Sequence, residues 1–117
     1  MEWPGVESRQ SREALLSALA RNVAYWVEAA QGQVAGEGWL DEHVQEAAQH
    51  LRRRLTAPED FDALGALLRW GMNGLTHSSL VALDGGSHDC PTMEVRDSAG
   101  QSLGDALHEE WPDFALE

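Results

Sequence analysis

The stretch THSSLVALDGG, Thr76 to Gly86, decides how this chain is read. A short apolar run, partly β-branched, stops abruptly at Asp84, Gly85 and Gly86. That pattern predicts a strand over residues 77–83 closed by a turn, because glycine takes positive φ at little cost. TMEVRD then alternates Met93 and Val95 with Glu94 and Arg96, the period of a half-buried strand, and DSAG supplies the next turn. The two segments together predict a small antiparallel hairpin. A two-stranded ribbon is marginal alone, so helices must cover it through Leu80, Ala82, Met93 and Val95. Val81 and Leu83 would face the other way.

Upstream, three helices are predicted. In SREALLSALARNVAYWVEAAQ the apolar positions Leu15, Leu19, Val23, Trp26, Val27 and Ala30 recur at helical spacing. Ser11 offers an N-cap and Glu13 an early acid. Gly32 is the expected stop, with QGQVAGEG as the loop. LDEHVQEAAQHLRRRLTA carries an inward stripe of Leu40, Val44, Ala47, Ala48, Leu51 and Leu55. Asp41 and Glu42 sit early and Arg52, Arg53 and Arg54 late, which suits the helix dipole. The third helix starts at Thr56–Glu59, which have capping-box spacing, with Pro58 in its first turn. It buries Phe61, Leu64, Leu68 and Met72, with Leu67 widening that face, and ends at Asn73–Gly74. After the hairpin, SLGDALHEEWPDF predicts a short last helix stopping before Pro112. The reading is an α+β fold: a three-helix scaffold packed against a hairpin, plus a short C-terminal helix. Residues 1–8 form an arm and 9–117 a single domain. Trp26 and Trp70 are expected in the core. Trp3, Trp39 and Trp111 lie near element ends, where an exposed tryptophan would mark an interface.

The chain has 117 residues and is 43% hydrophobic, enough for a core without a covalent staple. One cysteine excludes an internal disulfide and is compatible with the cytoplasm. MEWPGVESRQ has neither the basic start nor the apolar core of a signal peptide. No apolar run approaches membrane-spanning length. Twenty acidic residues face eight arginines and no lysine, for a net charge of -12. Such a surface repels phosphate backbones and anionic lipid, so no direct nucleic-acid or membrane contact is expected, and a basic protein partner is favoured.

The residues after the apolar run are candidates for chemistry. Asp84, His88, Asp89 and Cys90, with His77 or His108, could form a metal or nucleophilic site. Their spacing matches no zinc or calcium pattern, and Cys90 lies before Pro91 with no cation to lower its pKa. No catalytic residue, metal or cofactor is assigned. Asp84 and Gly85 are read as a structural turn, with Asp84 accepting from His108 to tie the hairpin to the last helix. The acids are unevenly placed. From His77 onward nine acids accompany one arginine, about -8 of the -12. Asp84, Asp89, Glu94, Asp97, Asp105, Glu109, Glu110 and Asp113 form the candidate binding patch.

The tail HSSLVALDGGS followed by LGDALHEEWPDF resembles that of small acidic bacterial proteins of unknown function, some of them immunity-like. The matching residues are Leu83, Asp84 and Gly85, then Leu107, His108 and Glu109, about a third of the chain. The resemblance implies an uncharacterised, non-enzymatic role and supplies no catalytic residue. The leading expectation is an acidic protein-binding module, an immunity- or antitoxin-like inhibitor of a basic toxin such as a nuclease. The alternatives are a nucleic-acid-mimicking inhibitor of defence proteins, a small metal-dependent enzyme using Asp84, His88 and His108, and a homodimer without another partner.

Overall fold

The computed structural model describes residues 8–37, 42–86 and 91–115. Four helices run in the order α1 (Arg9–Ala35), α2 (Glu42–Arg52), α3 (Pro58–Leu83) and α4 (Leu107–Phe114). Among the described residues there is no strand, and β pairing is confined to one antiparallel bridge between Arg96 and Ser102. The expected α+β fold with a hairpin is therefore incorrect. The described part of the chain is all-helical.

The stretch around Leu80 shows why. Leu64, Leu68, Met72, Thr76 and Leu80 follow one another at a spacing of four, a row that winds slowly around the helix; the first four are half-buried and Leu80 is buried. Asn73–Gly74 does not stop the helix. A glycine costs only about 1 kcal/mol against alanine in a helix interior, and the turns that follow recover more than that by burial. The Ser79 hydroxyl folds back to donate to the Leu75 carbonyl at 2.8 Å, satisfying itself within the helix. The glycines still mark a boundary, but of a helix. Gly85 N–H donates to the Ala82 carbonyl at 3.1 Å and Gly86 N–H to the Val81 carbonyl at 2.8 Å, with Gly85 at φ 85°. This is a Schellman motif, which needs a left-handed residue just past the last turn. The end of α1 repeats it. Gly36, at φ 83°, donates to Gln33, and Glu37 donates to Gly32. Gly32 therefore lies inside the helix, and the first half of the expected loop is its last turn.

The chain divides into two compact units, Met1–Arg21 with Asn73–Glu117, and Asn22–Met72. In the second unit Val23, Val27, Val34 and Ala48 are buried. The Arg52 guanidinium donates to the carbonyls of Val34 (2.8 Å) and Gln33 (3.1 Å), supplying donors that the end of α1 lacks. Gln31 donates to the Phe61 carbonyl at 2.7 Å. Gly65 allows that approach, since a Cβ there would lie 2.3 Å from the Gln31 amide nitrogen. At the start of α3 the acid that reaches back is Asp60, not Glu59. It accepts from the N–H groups of Thr56 and Ala57 at 3.1 and 3.0 Å. Pro58 occupies the first helical position, where its missing N–H costs nothing.

The expected cores need further correction. Trp26 is 59% and Trp70 78% exposed, so neither is core. Leu67, Val44 and Leu51 are exposed as well, and Ala48 is the buried residue of α2. Trp3, Trp39 and Leu40 lie outside the described residues. In the first unit Leu16, Ala20, Leu80, Leu103, Leu107 and Trp111 are buried. Trp111 is 2% exposed and so marks no interface, and its indole N–H donates to the Asn73 carbonyl at 3.2 Å. Helix α4 runs through Pro112 instead of stopping before it, and the Ala115 N–H closes its last turn on the Trp111 carbonyl.

Two glycine substitutions should move stability in opposite directions. Gly85→Ala forces a side chain onto a left-handed residue and places its Cβ 2.0 Å from the Thr92 hydroxyl. We expect unfolding by urea to show a loss of about 1–3 kcal/mol. Gly32→Ala meets nothing within 4 Å inside a helix and should gain about 0.5–1 kcal/mol. A gain for Gly85→Ala would contradict the cap.

Candidate functional site: a buried arginine and an acidic groove

The first turn of α1 builds one wall of the site. Ser8 N–H donates to the Ser102 carbonyl at 2.7 Å, and the Ser8 hydroxyl accepts from Ser11 N–H at 3.2 Å. Ser8, not Ser11, thus caps the helix. Ser11 instead donates through its hydroxyl to Asp97 at 2.6 Å. The second oxygen of Asp97 accepts from Ala99 N–H (3.0 Å) and Gln101 N–H (2.9 Å), so this carboxylate holds its own turn together.

One turn further along, Arg12 is 7% exposed. Its guanidinium donates to the carbonyls of Leu103 (3.1 Å), Asp105 (2.7 Å) and Ala106 (3.3 Å), and its Nε to Glu110 at 2.8 Å. Arg9 donates to the other Glu110 oxygen at 2.5 Å and to Glu13 at 3.0 Å. A fork with five donors suits a turn that presents several carbonyls to one side.

Arg9, Arg12, Asp105, Ala106, Glu109, Glu110 and Asp113 line an open groove of about 400 Å³. Two arginines against four carboxylates leave it with a charge of -2. Glu110 is bound to both arginines. Asp105, Glu109 and Asp113 are exposed and enter no ion pair among the described residues. Glu109 and Asp113 are spaced by four and share a side of α4; Asp105 lies before the helix and lines the same groove.

The other candidate residues have separate fates. Asp84 accepts from the His108 backbone N–H at 3.0 Å and approaches the His108 Nδ1 at 2.6 Å. It does so from the capped end of α3, so it joins two helices and not a hairpin to a helix. The His77 ring meets His108 edge-on, with centroids 5.7 Å apart. Glu94 pairs with Arg96 at 2.9 Å. His88, Asp89 and Cys90 lie outside the described residues. Among the described residues no three His, Cys, Asp or Glu side chains are grouped to hold a metal, and no helix is long and apolar enough to cross a membrane. The patch is therefore divided. Asp84, Asp97 and Glu110 are occupied by internal partners, and Asp105, Glu109 and Asp113 face water. Arg12 and Ser8 carry the site without having been singled out in the sequence. The available signal was an arginine on the line Arg12, Leu16, Ala20, Val23 and Val27, every member of which is buried.

These contacts set the acid–base behaviour. The hydrogen bond from Arg9, then that from Arg12, holds the Glu110 carboxyl below its usual range. The Ser11 hydroxyl does the same for Asp97. Burial pushes Asp84 up, but hydrogen bonds from the His108 side chain and from backbone N–H groups outweigh it and leave it lowered. Glu110 and Glu13 in turn raise Arg9. Comparison with protein-family models, curated proteins and solved structures finds no match to this chain.

Three carboxyls with lowered pKa contribute stability that is complete above their ordinary values, 3.8 for aspartate and 4.5 for glutamate, and is lost as pH falls through the lower folded values. Thermal melts should show that loss below about pH 4, and Asp97→Asn should make it smaller. An Asp97→Asn curve parallel to the wild type would contradict the assignment. At neutral pH, Arg12→Met should cost about 3 kcal/mol, because it leaves three carbonyls and one Glu110 oxygen without their donor. Arg9→Met, at a side chain that is mostly exposed, should change the melt little. Equal losses from the two would show that burial does not set the cost.

Proposed function

We propose that this chain is an acidic protein-binding module whose contact surface is the α4 groove. The supporting observation is the set of Asp105, Glu109 and Asp113, exposed and without cationic partners, on a wall fixed from behind by Arg12. Their backbone is already ordered, so a basic partner gains charge–charge attraction without ordering this wall. The finer reading is an immunity- or antitoxin-like inhibitor that covers the basic surface of a toxin such as a nuclease. The same reading assigns it to the cytoplasm, with which the single cysteine is compatible. The net charge of -12 supports fast association with a cationic protein and argues against a nucleic-acid ligand.

The test replaces the three carboxylates by their amides, Asp105→Asn, Glu109→Gln and Asp113→Asn together. Wild-type and triple-variant protein are each immobilised and exposed to source-cell extract and to an arginine-rich peptide. The wild type should retain basic proteins and the peptide, with retention falling steeply as salt rises from about 50 to 300 mM. The triple variant should retain them at least about tenfold less. Equal retention by both would remove the groove from the interaction.

A further inference from the structure

A second surface has the opposite character. Ala63, Ala66, Leu67, Trp70 and Gly71 are all exposed on α3, with Leu67 71% and Trp70 78% open to solvent. Gly65 and Leu68 lie toward the opposite side and are buried and half-buried, with Leu64 half-buried at the border. Between Phe61 and Met72 only Asp62 and Arg69 are charged; at about 100° per residue they lie about 80° and 100° around the helix from Trp70, and farther from Leu67. In a chain of net charge -12 this strip carries no charge at all. Large exposed apolar strips on helices are unusual unless something covers them.

We propose that this face of α3 docks against the same face of a second copy of the chain. Two features select that occupant. A two-fold contact needs one patch to carry both the protrusion and the recess it fills. Leu67 and Trp70 protrude, whereas Ala63, Ala66 and Gly71 are small, and a Cβ added to Gly71 would meet nothing within 4 Å. Charge is the second feature. The nearest carboxylates, Glu59 and Asp62, lie at the N-terminal end of the strip, so in an antiparallel two-fold contact centred on Leu67 and Trp70 those of the two copies fall at opposite ends and do not meet. Trp70 and Leu67 from both copies supply roughly half of the ~1,200 Å² that a specific interface requires. Close approach of the two helices over the small residues supplies the remainder.

The pairing must work against repulsion between two acidic bodies. Salt screens that repulsion, so association strengthens as ionic strength rises, the reverse of the groove's expected behaviour. Sedimentation analysis of the purified chain over a range of concentrations, at about 50 and 500 mM sodium chloride, reads this directly. The expected result is a shift from one to two copies, with a lower dissociation constant at the higher salt. Leu67→Glu and Ala66→Glu, both at exposed positions, should each raise that constant by at least about tenfold with an unchanged helical circular dichroism spectrum. The triple groove variant should still pair, so failure of the groove reading and failure of this one are seen separately. A chain that stays single at every concentration, a dimer indifferent to both substitutions, or a dimer weakened by salt would each overturn the proposal. So would protection of Trp70 fluorescence by another protein but never by a second copy.

Discussion

Arg12 is a cation removed from water, and much of the first compact unit is arranged around that fact. Desolvating a guanidinium costs several kcal/mol unless its charge and its donors are answered. Glu110 answers the charge, and the carbonyls of Leu103, Asp105 and Ala106 take the donors. Those carbonyls face one way because the backbone bends through left-handed conformations at Gly104 (φ 86°) and at Ala106 (φ 54°), where an alanine would not rest unaided. The bend drops Leu103 and Leu107 into the core on either side of it. The position of α4, and so of every exposed acid on it, follows from where Arg12 lies. Asp84 fixes the same helix from the other side through its two contacts with His108.

Much of the helical content was legible in the sequence, and its limits were not. Periodicity found α1, α2 and the first half of α3. It failed at Thr76–Leu83, where two β-branched residues and a closing Asp-Gly-Gly imitate a strand and turn. The spacing of four from Leu64 to Leu80 runs straight through Asn73–Gly74, because one glycine costs a helix interior only about 1 kcal/mol. In α1 the predicted stripe was displaced because alanine and leucine occur on most sides of the helix. The stripe that is buried begins with an arginine, which a search for apolar residues passes over. Trp26 and Trp70 were assigned to the core by size, yet the positions themselves face water.

The candidate site was partly legible. An aspartate closing an apolar run and a histidine in the last helix suggested a contact, and Asp84 and His108 do meet. The acidic count was a poorer guide. A carboxylate's role depends on what lies within about 3 Å of it, which a sum of charges cannot state. Asp97 organises a turn and Glu110 pairs with two arginines, so neither is free for a partner. The surviving set of Asp105, Glu109 and Asp113 was visible as a spacing of four, but only the path of the chain before α4 places its first member beside the others.

The two compact units also differ in how they can be assembled. Asn22–Met72 is one uninterrupted stretch, so its contacts become available as soon as that stretch exists. Arg12 and Arg9 must wait for a carboxylate 98 and 101 positions later. During synthesis the contiguous unit can therefore consolidate early, while a guanidinium destined for burial remains hydrated until Glu110 has been made. Joining segments so distant carries a loop-closure penalty and slows the last step of folding. The latest-formed part of the molecule is then the part that presents the acidic groove, and a nascent chain would not display that groove before its scaffold is complete.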